Sequence, residues 1–212
     1  MTGATIRVES LSKRFGLHEI FTDLTLTLEA GGVYCLRAPS GAGKTSLLRI
    51  LMGLDRPDSG RVRGITPGQV SVMFQEDRLS DALTPVENVA LLHPERRVSR
   101  RMLREDLATI LPVRSLSQPV VELSGGMRRR VALACAMLYP SSVVLLDEPF
   151  TGLDAETKRV VVDYVLARRG GRTLVAATHG DDDAALLGAE TLALPAHHSN
   201  SSEVNAPNGY SI

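Results

Sequence analysis

The sequence has no net charge, little cysteine and no long apolar run. Its 212 residues include 24 Lys and Arg against 24 Asp and Glu, so no net electric field attracts nucleic acid. No apolar run approaches the ~18 residues that cross a bilayer, and Met1–Thr5 lacks the basic and apolar regions of a secretory leader. We therefore expect a chain on the cytoplasmic side with no membrane span of its own.

The two cysteines both fall in apolar stretches. Cys35 lies in a predicted strand and Cys135 in a predicted helix. Two cysteines in such positions indicate reduced, buried thiols rather than a disulfide or a metal site.

A glycine-rich segment follows the first buried apolar run. Val33–Leu36 predicts a strand, and apolar residues between 47 and 51 repeat with helical spacing. The segment between them is a strand-to-helix turn, where first-turn amides lack intrahelical partners and face outward. A phosphate chain fits there, with Lys44 on the terminal phosphates and Thr45 on magnesium. The candidate residues are Pro39, Ser40, Gly41, Ala42, Gly43, Lys44, Thr45 and Ser46.

This loop departs from the usual pattern because Ala38 stands where its first glycine is expected. If that position needs a positive φ, a residue with a Cβ is costly there, and we expect weaker nucleotide binding. An ordinary strand-turn-helix with a surface lysine is the alternative interpretation.

A second apolar run ends in two carboxylates. Val143–Leu146 is typical of a strand buried on both faces of a parallel sheet, which delivers Asp147 and Glu148 to its C-terminal edge. Asp147 is placed to hold magnesium through its water shell, and Glu148 to orient or deprotonate an attacking water. A solvated turn is the alternative, but it does not explain why both carboxylates follow an apolar run in a chain with a phosphate loop.

A second glycine segment, Ser124-Gly125-Gly126, precedes a strongly helical stretch. Its bare amides and the Ser124 hydroxyl would face outward at the helix N-terminus, ready for an anion. A flexible loop is the alternative.

Two further polar residues follow predicted strands. Gln75 comes after Val70–Phe74 and offers an amide oxygen to magnesium or its water. The alternative interpretation is an ordinary surface amide after a strand. His179 comes after Thr173–Ala177 and can donate a hydrogen bond to a γ-phosphate from the same edge of the sheet.

Together, these motifs resemble the nucleotide-binding subunit of ATP-binding cassette (ABC) transporters. The resemblance runs from about Ile6 to about Leu194. It implies that Phe15 stacks on adenine and that Asp154 lies in a loop crossing a dimer interface. It also identifies Gln75 as the glutamine-loop residue, Leu123–Met127 as the signature, and His179 as the switch histidine, although Gly180 replaces the acidic residue that commonly follows.

The resemblance implies an α/β fold: a P-loop NTPase (RecA-like) parallel-sheet core with an N-terminal antiparallel β lobe and an inserted α-helical lobe. Alternation in Ile6–Glu9 and Leu24–Glu29 agrees with the β lobe. We expect one domain over residues 1–195, with the helical lobe at about 76–139. The polar tail, 196–212, is expected to be disordered.

The implied function is ATP hydrolysis coupled to transport through a separate membrane permease. Lys44, Glu148 and His179 would be catalytic, with ATP and Mg²⁺ as cofactors, and two subunits would face head to tail. The signature of one subunit, here Ser124, Gly125 and Gly126, would then meet the γ-phosphate of ATP on the other. The chain would be peripheral on the cytoplasmic face of the membrane.

The permease would dock near Gln75 to about Asn88. Segments 74–79 and 85–89 most resemble importers of small anions such as nitrate, sulfonate or taurine, which use a substrate-binding protein. Cargo, transport direction, and whether the partner subunit is a copy or a relative stay open.

Three other classes share parts of this pattern. Chromosome and DNA-repair cassettes carry a long coiled coil, but only a few dozen residues separate Gln75 from Ser124 here. Ribosome-acting cassettes carry two cassettes in one chain. A nucleotide kinase or GTPase shares the phosphate loop, but its mechanism does not require a segment such as Leu123–Met127.

Overall fold

The computed structural model describes residues 2–39, 41–66, 68–94, 98–180 and 182–194. Ser40 and the tail at 196–212 lie outside the described residues, so the predictions made for them stay predictions.

A five-stranded parallel sheet forms the centre of the protein. Its strands are β3 (Val33–Arg37), β5 (Val70–Met73), β6 (Val143–Asp147), β7 (Thr173–Ala177) and β8 (Glu190–Ala193), in the order β5-β6-β7-β3-β8. Every residue of β6 is buried, as its continuous apolar run predicted, and every residue of β7 is buried as well. Asp147 pairs with Ala177, so the two central strands end at the same level.

A second sheet is antiparallel and three-stranded. It contains β1 (Ile6–Phe15), β2 (His18–Leu28) and β4 (Ser59–Arg63), in the order β2-β1-β4. The expected N-terminal β lobe is therefore present, with longer strands than alternation alone indicated.

Six α-helices complete the described structure: α1 (Lys44–Leu51), α2 (Pro85–Leu92), α3 (Arg100–Leu107), α4 (Gly125–Leu138), α5 (Ala155–Arg169) and α6 (Asp183–Leu187). Short 3-10 turns span Val113–Ser117 and Val120–Glu122. α2 begins at a capping box in which Thr84 and Glu87 satisfy each other's backbone amides. α4 contacts α2 on one side and both β5 and β6 on the other, so it joins the helical segment to the sheet.

Strand β6 separates two hydrophobic cores. Val144 and Leu146 face a core shared with α4 and α5. Val143 and Leu145 face a core shared with α1 and the antiparallel sheet. Because both faces of β6 are covered, its C-terminal end is held in place at the rim of the sheet.

Both cysteines are buried and unpaired, as the sequence predicted. Burial raises the pKa of Cys135 to about 12, which keeps this thiol protonated and unreactive. In the part of the chain that the structure describes, every helix is too short or too polar to cross a bilayer.

A buried arginine ties together the ends of two helices. Arg172, 5% exposed, donates to the Met137 and Tyr139 carbonyls at the end of α4. It also donates to the Arg168 and Arg169 carbonyls at the end of α5. These are carbonyls that a helix leaves without intrahelical partners, and burial lowers the pKa of the Arg172 guanidinium.

We predict that Arg172→Lys lowers the free energy of unfolding by about 2–4 kcal/mol, because one ammonium cannot reach carbonyls at two helix ends and leaves buried acceptors unpaired. Chemical denaturation of parent and variant measures the change. A loss below about 0.5 kcal/mol, the range of an ordinary surface substitution, would contradict it.

Candidate nucleotide site

A polar cavity of about 200 Å³ lies at the C-terminal edge of the parallel sheet. Its lining comes from the loops that follow β3, β5 and β6, and consists of Gly41, Gly43, Lys44, Thr45, Ser46, Gln75, Asp147 and Glu148. The fold thus brings together the predicted phosphate loop, the glutamine and both carboxylates. Such an edge is where open α/β sheets bind ligands.

The phosphate loop is a tight turn that leads directly into α1. The Ala42 amide donates to the Pro39 carbonyl at 3.2 Å. Gly43 caps α1 with φ 89°, and a Cβ there would lie 2.3 Å from Ile20 Cγ2. Among the described residues no side chain caps α1. Its first-turn amides are therefore available to an anion, as the strand-to-helix turn requires.

Lys44 lies folded over this loop. Its ammonium donates to the Ala38 carbonyl at 2.7 Å and to the Pro39 carbonyl at 3.4 Å. The ammonium is on a flexible four-carbon stem, so it can turn from these carbonyls toward a phosphate placed in the cavity.

Ala38 does not have the positive φ that would make an alanine unfavourable in place of the usual glycine. The described non-glycine residues with positive φ are Ser10, Asp23 and Glu148, and Ala38 is not among them. Its side chain packs against the core that contains α1. The condition for weaker nucleotide binding through Ala38 is therefore not met.

The carboxylate beside Thr45 suits magnesium. The Thr45 hydroxyl donates to Asp147 Oδ2 at 3.1 Å, and Asp147 is 5% exposed. Burial raises the pKa of Asp147 despite this hydrogen bond, and the neighbouring Glu148 charge adds to the effect. No trio of His, Cys, Asp or Glu that could hold a metal exists among the described residues. The donors fit Mg²⁺, which needs few protein oxygens when phosphates and water supply the rest.

With Mg²⁺ bound, Thr45 and Asp147 would hold the ion and Gln75 would lie beside it. The ion would neutralise the Asp147 charge and the developing charge on a phosphate.

Glu148 adopts a strained backbone conformation. Its φ is 53°, in the left-handed region, which costs a residue with a side chain about 1–3 kcal/mol. Its amide donates to the Ala177 carbonyl at 2.8 Å, and its carboxylate contacts His179 Nδ1 at 2.7 Å. The Thr151 hydroxyl donates to the same carboxylate oxygen at 3.2 Å. Glu148 lines the cavity, and His179, which is not part of the described lining, contacts the site through the Glu148 carboxylate.

The loop after His179 is anchored by Asp183. This buried carboxylate accepts a hydrogen bond from the Thr178 hydroxyl and lies 2.5 Å from the Lys158 ammonium. A Cβ on Gly180 would lie 2.4 Å from Asp183 Oδ2. The glycine that replaces the usual acidic residue thus leaves room for Asp183.

The signature residues form the N-terminus of α4. Ser124 is its N-cap and accepts from the Met127 amide at 3.3 Å, and Gly125 and Gly126 open the helix. Neither glycine has a positive φ, and a Cβ on Gly125 would meet no atom within 4 Å. The chain's own fold therefore requires neither glycine. None of these residues appears in the described lining of the cavity.

Two further predicted site residues are also absent from the described lining of the cavity. Asp154 caps α5, accepting from the Thr157 amide at 2.9 Å and hydroxyl at 2.8 Å, and these bonds lower its pKa. Phe15 ends β1 with its surface 51% exposed, and the Lys13 ammonium lies 4.9 Å from its ring centroid. Its stacking on adenine stays a prediction.

Sequence reasoning missed Arg129. Its guanidinium, on α4, donates to the backbone carbonyls of Gln75, Asp147 and Glu148. No sequence signal distinguishes it, because it is the second of three consecutive arginines.

We predict that Asp147→Asn raises the melting temperature of the protein without nucleotide at pH 7 and removes Mg²⁺-dependent hydrolysis. A carboxyl whose pKa is raised by folding makes the folded state lose stability as pH rises above the unfolded pKa. Asn keeps the Thr45 hydrogen bond without the charge.

Thermal melts at several pH values check this prediction. The stabilisation should shrink as the pH falls below the ordinary carboxyl pKa. An equal shift at all pH values would contradict the electrostatic cause.

Comparison with known proteins agrees with this geometry. The ABC transporter family profile matches residues 21–151. The aliphatic sulfonates import ATP-binding protein SsuB 3 of Paraburkholderia xenovorans is 41% identical over 187 residues, covering 86% of this chain and 73% of that protein. The Fe(3+) ions import ATP-binding protein FbpC 1 of Rhizobium meliloti is 38% identical over 191 residues, covering 82% and 54%.

Among solved structures, a dimeric ATP-binding cassette in a post-hydrolysis state, bound to ADP and Pi, superposes with a TM-score of 0.77. It is 26% identical and covers 89% of this chain and 94% of that one. The chain spans little more than half the length of several curated relatives that it matches. On the family match and the two relatives, this chain belongs to the ABC transporter family.

Proposed function

We propose that this chain is the ATP-hydrolysing subunit of an ABC transporter, coupling ATP binding and hydrolysis to substrate movement through a separate permease. The observation that carries the proposal is the pair of anion sites. One surrounds a cavity with two carboxylates, and the other, at Ser124 to Gly126, is not part of the lining of that cavity and has glycines that the fold does not need.

Hydrolysis uses groups already at the cavity. The phosphates of ATP lie on the α1 amides, and Lys44 turns from its loop carbonyls to the terminal phosphates. Water attacks the γ-phosphorus in line, the bond to the bridging oxygen breaks, and Glu148 accepts the water's proton. His179, 2.7 Å from Glu148, donates to the γ-phosphate. ADP and phosphate result.

The second anion site completes the first one across a subunit boundary. In a head-to-tail pair, the Ser124 hydroxyl and the bare amides of Gly125 and Gly126 meet the γ-phosphate on the other subunit. The dimeric form of the structural relative supports the formation of a dimer. Losing the γ-phosphate removes these contacts, so nucleotide state biases an equilibrium between open and closed dimers.

An apolar groove is the proposed contact with the permease. A cavity of about 350 Å³ lies between β5, α4 and Leu92, next to the glutamine-loop segment. Leu91 and Leu92 at the end of α2 are 66% and 50% exposed. A cytoplasmic helix of the permease would bury these side chains, and a movement of Gln75 would then displace that helix. The chain would then be peripheral on the cytoplasmic face.

Import of a small anion, with a substrate-binding protein, is the proposed direction and cargo class. Both relatives are named as import proteins, and the sulfonate relative supports a small anion. The Fe(3+) relative indicates that similar subunits serve different cargoes. We propose that residues 1–195 form the single nucleotide-binding domain, with its helical lobe at about 76–139.

We predict that Gly125→Ala leaves the fold and ATP binding intact but lowers ATP turnover at least about 100-fold. A methyl group at this position has open space within its own chain, and the φ of Gly125 is not positive, so alanine fits the backbone there. In the closed dimer it occupies space needed by the partner's γ-phosphate and weakens transition-state stabilisation.

Four measurements are compared between parent and variant: ATP turnover, melting temperature, affinity for a fluorescent ATP analogue, and ATP-dependent dimerisation by light scattering. Equal or higher stability with lost dimerisation and turnover is the expected result. If Gly125→Ala hydrolyses ATP at the parental rate, the signature does not act at the active site. If the parent protein shows no turnover with its permease, the proposed ATPase function is wrong.

A further inference from the structure

One partly buried arginine contacts three backbone carbonyls at the cavity. Arg129 Nη1 donates to the Gln75 carbonyl at 2.7 Å, and Nη2 donates to the Asp147 carbonyl at 3.0 Å. Nε donates to the Glu148 carbonyl at 3.0 Å, and Nη2 contacts that carbonyl as well. The side chain is 12% exposed. Its bonds to the Asp147 and Glu148 carbonyls are partly buried, and its bond to the Gln75 carbonyl is exposed.

The same guanidinium also forms an ion pair with a carboxylate of the glutamine loop. Asp77 Oδ1 lies 3.5 Å from Arg129 Nη1. That oxygen is buried and accepts no hydrogen bond within the described residues. Asp77 therefore depends on Arg129 for its charge compensation, and the ion pair holds the glutamine loop against α4.

Glu148 needs an external restraint because its backbone is strained. Its φ of 53° is stable only where surrounding bonds fix it. Arg129 holds the carbonyl of this residue, and the Ala177 carbonyl holds its amide. Without the guanidinium, the peptide after Glu148 can relax and carry the carboxylate away from the cavity.

Arg129 stands on the helix that carries the signature. It follows Ser124 by five residues, about 7–8 Å along α4. One end of this helix therefore faces outward while its second turn holds the glutamine loop and the carboxylate strand of its own chain.

Resting on the proposed function, we infer that Arg129 is a positioning residue for Glu148. Through α4 it links the signature, which contacts the nucleotide of the partner, to the carboxylate that acts on the nucleotide of its own chain. Each ATP site is thereby mechanically connected to the other through one guanidinium and about one and a half helical turns. The glutamine loop joins the same link through Gln75 and Asp77.

The test compares Arg129→Lys with Arg129→Gln. Lysine retains the charge opposite Asp77, but its single nitrogen cannot reach the three carbonyls that Arg129 reaches from three separate nitrogens. Glutamine loses the charge as well as this reach. We expect kcat to fall at least about tenfold in Arg129→Lys and further in Arg129→Gln, while ATP affinity stays within about twofold. Steady-state hydrolysis gives kcat, and titration with a fluorescent ATP analogue gives the affinity.

Arg172→Lys is the matched control, because Arg172 is a second arginine that donates to several backbone carbonyls, at helix ends rather than at the cavity. All assays run well below the melting temperature of each variant, with kcat expressed per folded protein. Both lysine variants should be less stable, and only the Arg129 variants should lose kcat.

Parental kcat in Arg129→Lys overturns the inference, and so does an equal loss of kcat in Arg172→Lys, since the loss then follows stability. A parent chain without ATP turnover in the presence of its permease rejects the proposed function instead, which separates the two failures.

Discussion

The unpaired amides at the start of α1 are the feature on which the rest of the site depends. A helix leaves its first N–H groups without partners, and here Gly43 opens the helix where a side-chain cap is absent among the described residues. Strand β3 fixes that helix end at the edge of a parallel sheet. Since β6 ends at the same edge, Asp147 and Glu148 stand opposite the amides, and one cavity combines positive helix ends with two carboxylates.

The arrangement of the site lowers the stability of the protein without bound nucleotide. Asp147 is buried with a raised pKa, and Glu148 occupies a left-handed conformation that non-glycine residues avoid. Both features are unfavourable without ligand and fit a place where phosphate, cation and water complete the interactions. The bonds of Arg129 and of the β7 backbone keep this arrangement in place.

The buried parts of the fold followed directly from the sequence, because β6 and β7 are apolar on both faces and have distinctive runs. β1 and β2 were predicted too short, since bulges near Ser10 and Asp23, both at positive φ, interrupt their alternation. The cavity residues were predictable from motifs at strand ends. Arg129 and the Asp183 anchor were not, because their roles come from contacts between distant segments that no local pattern encodes.

The central claim is that the signature of one subunit completes the nucleotide site of the other. The most direct measurement is a crystal structure of the Glu148→Gln protein, dimerised with its partner under saturating Mg²⁺ and ATP. The account predicts a hydrogen bond of about 2.7–3.2 Å between the Ser124 hydroxyl of one subunit and the γ-phosphate bound near Lys44 of the other. A nucleotide-loaded dimer with Ser124 facing solvent would contradict it.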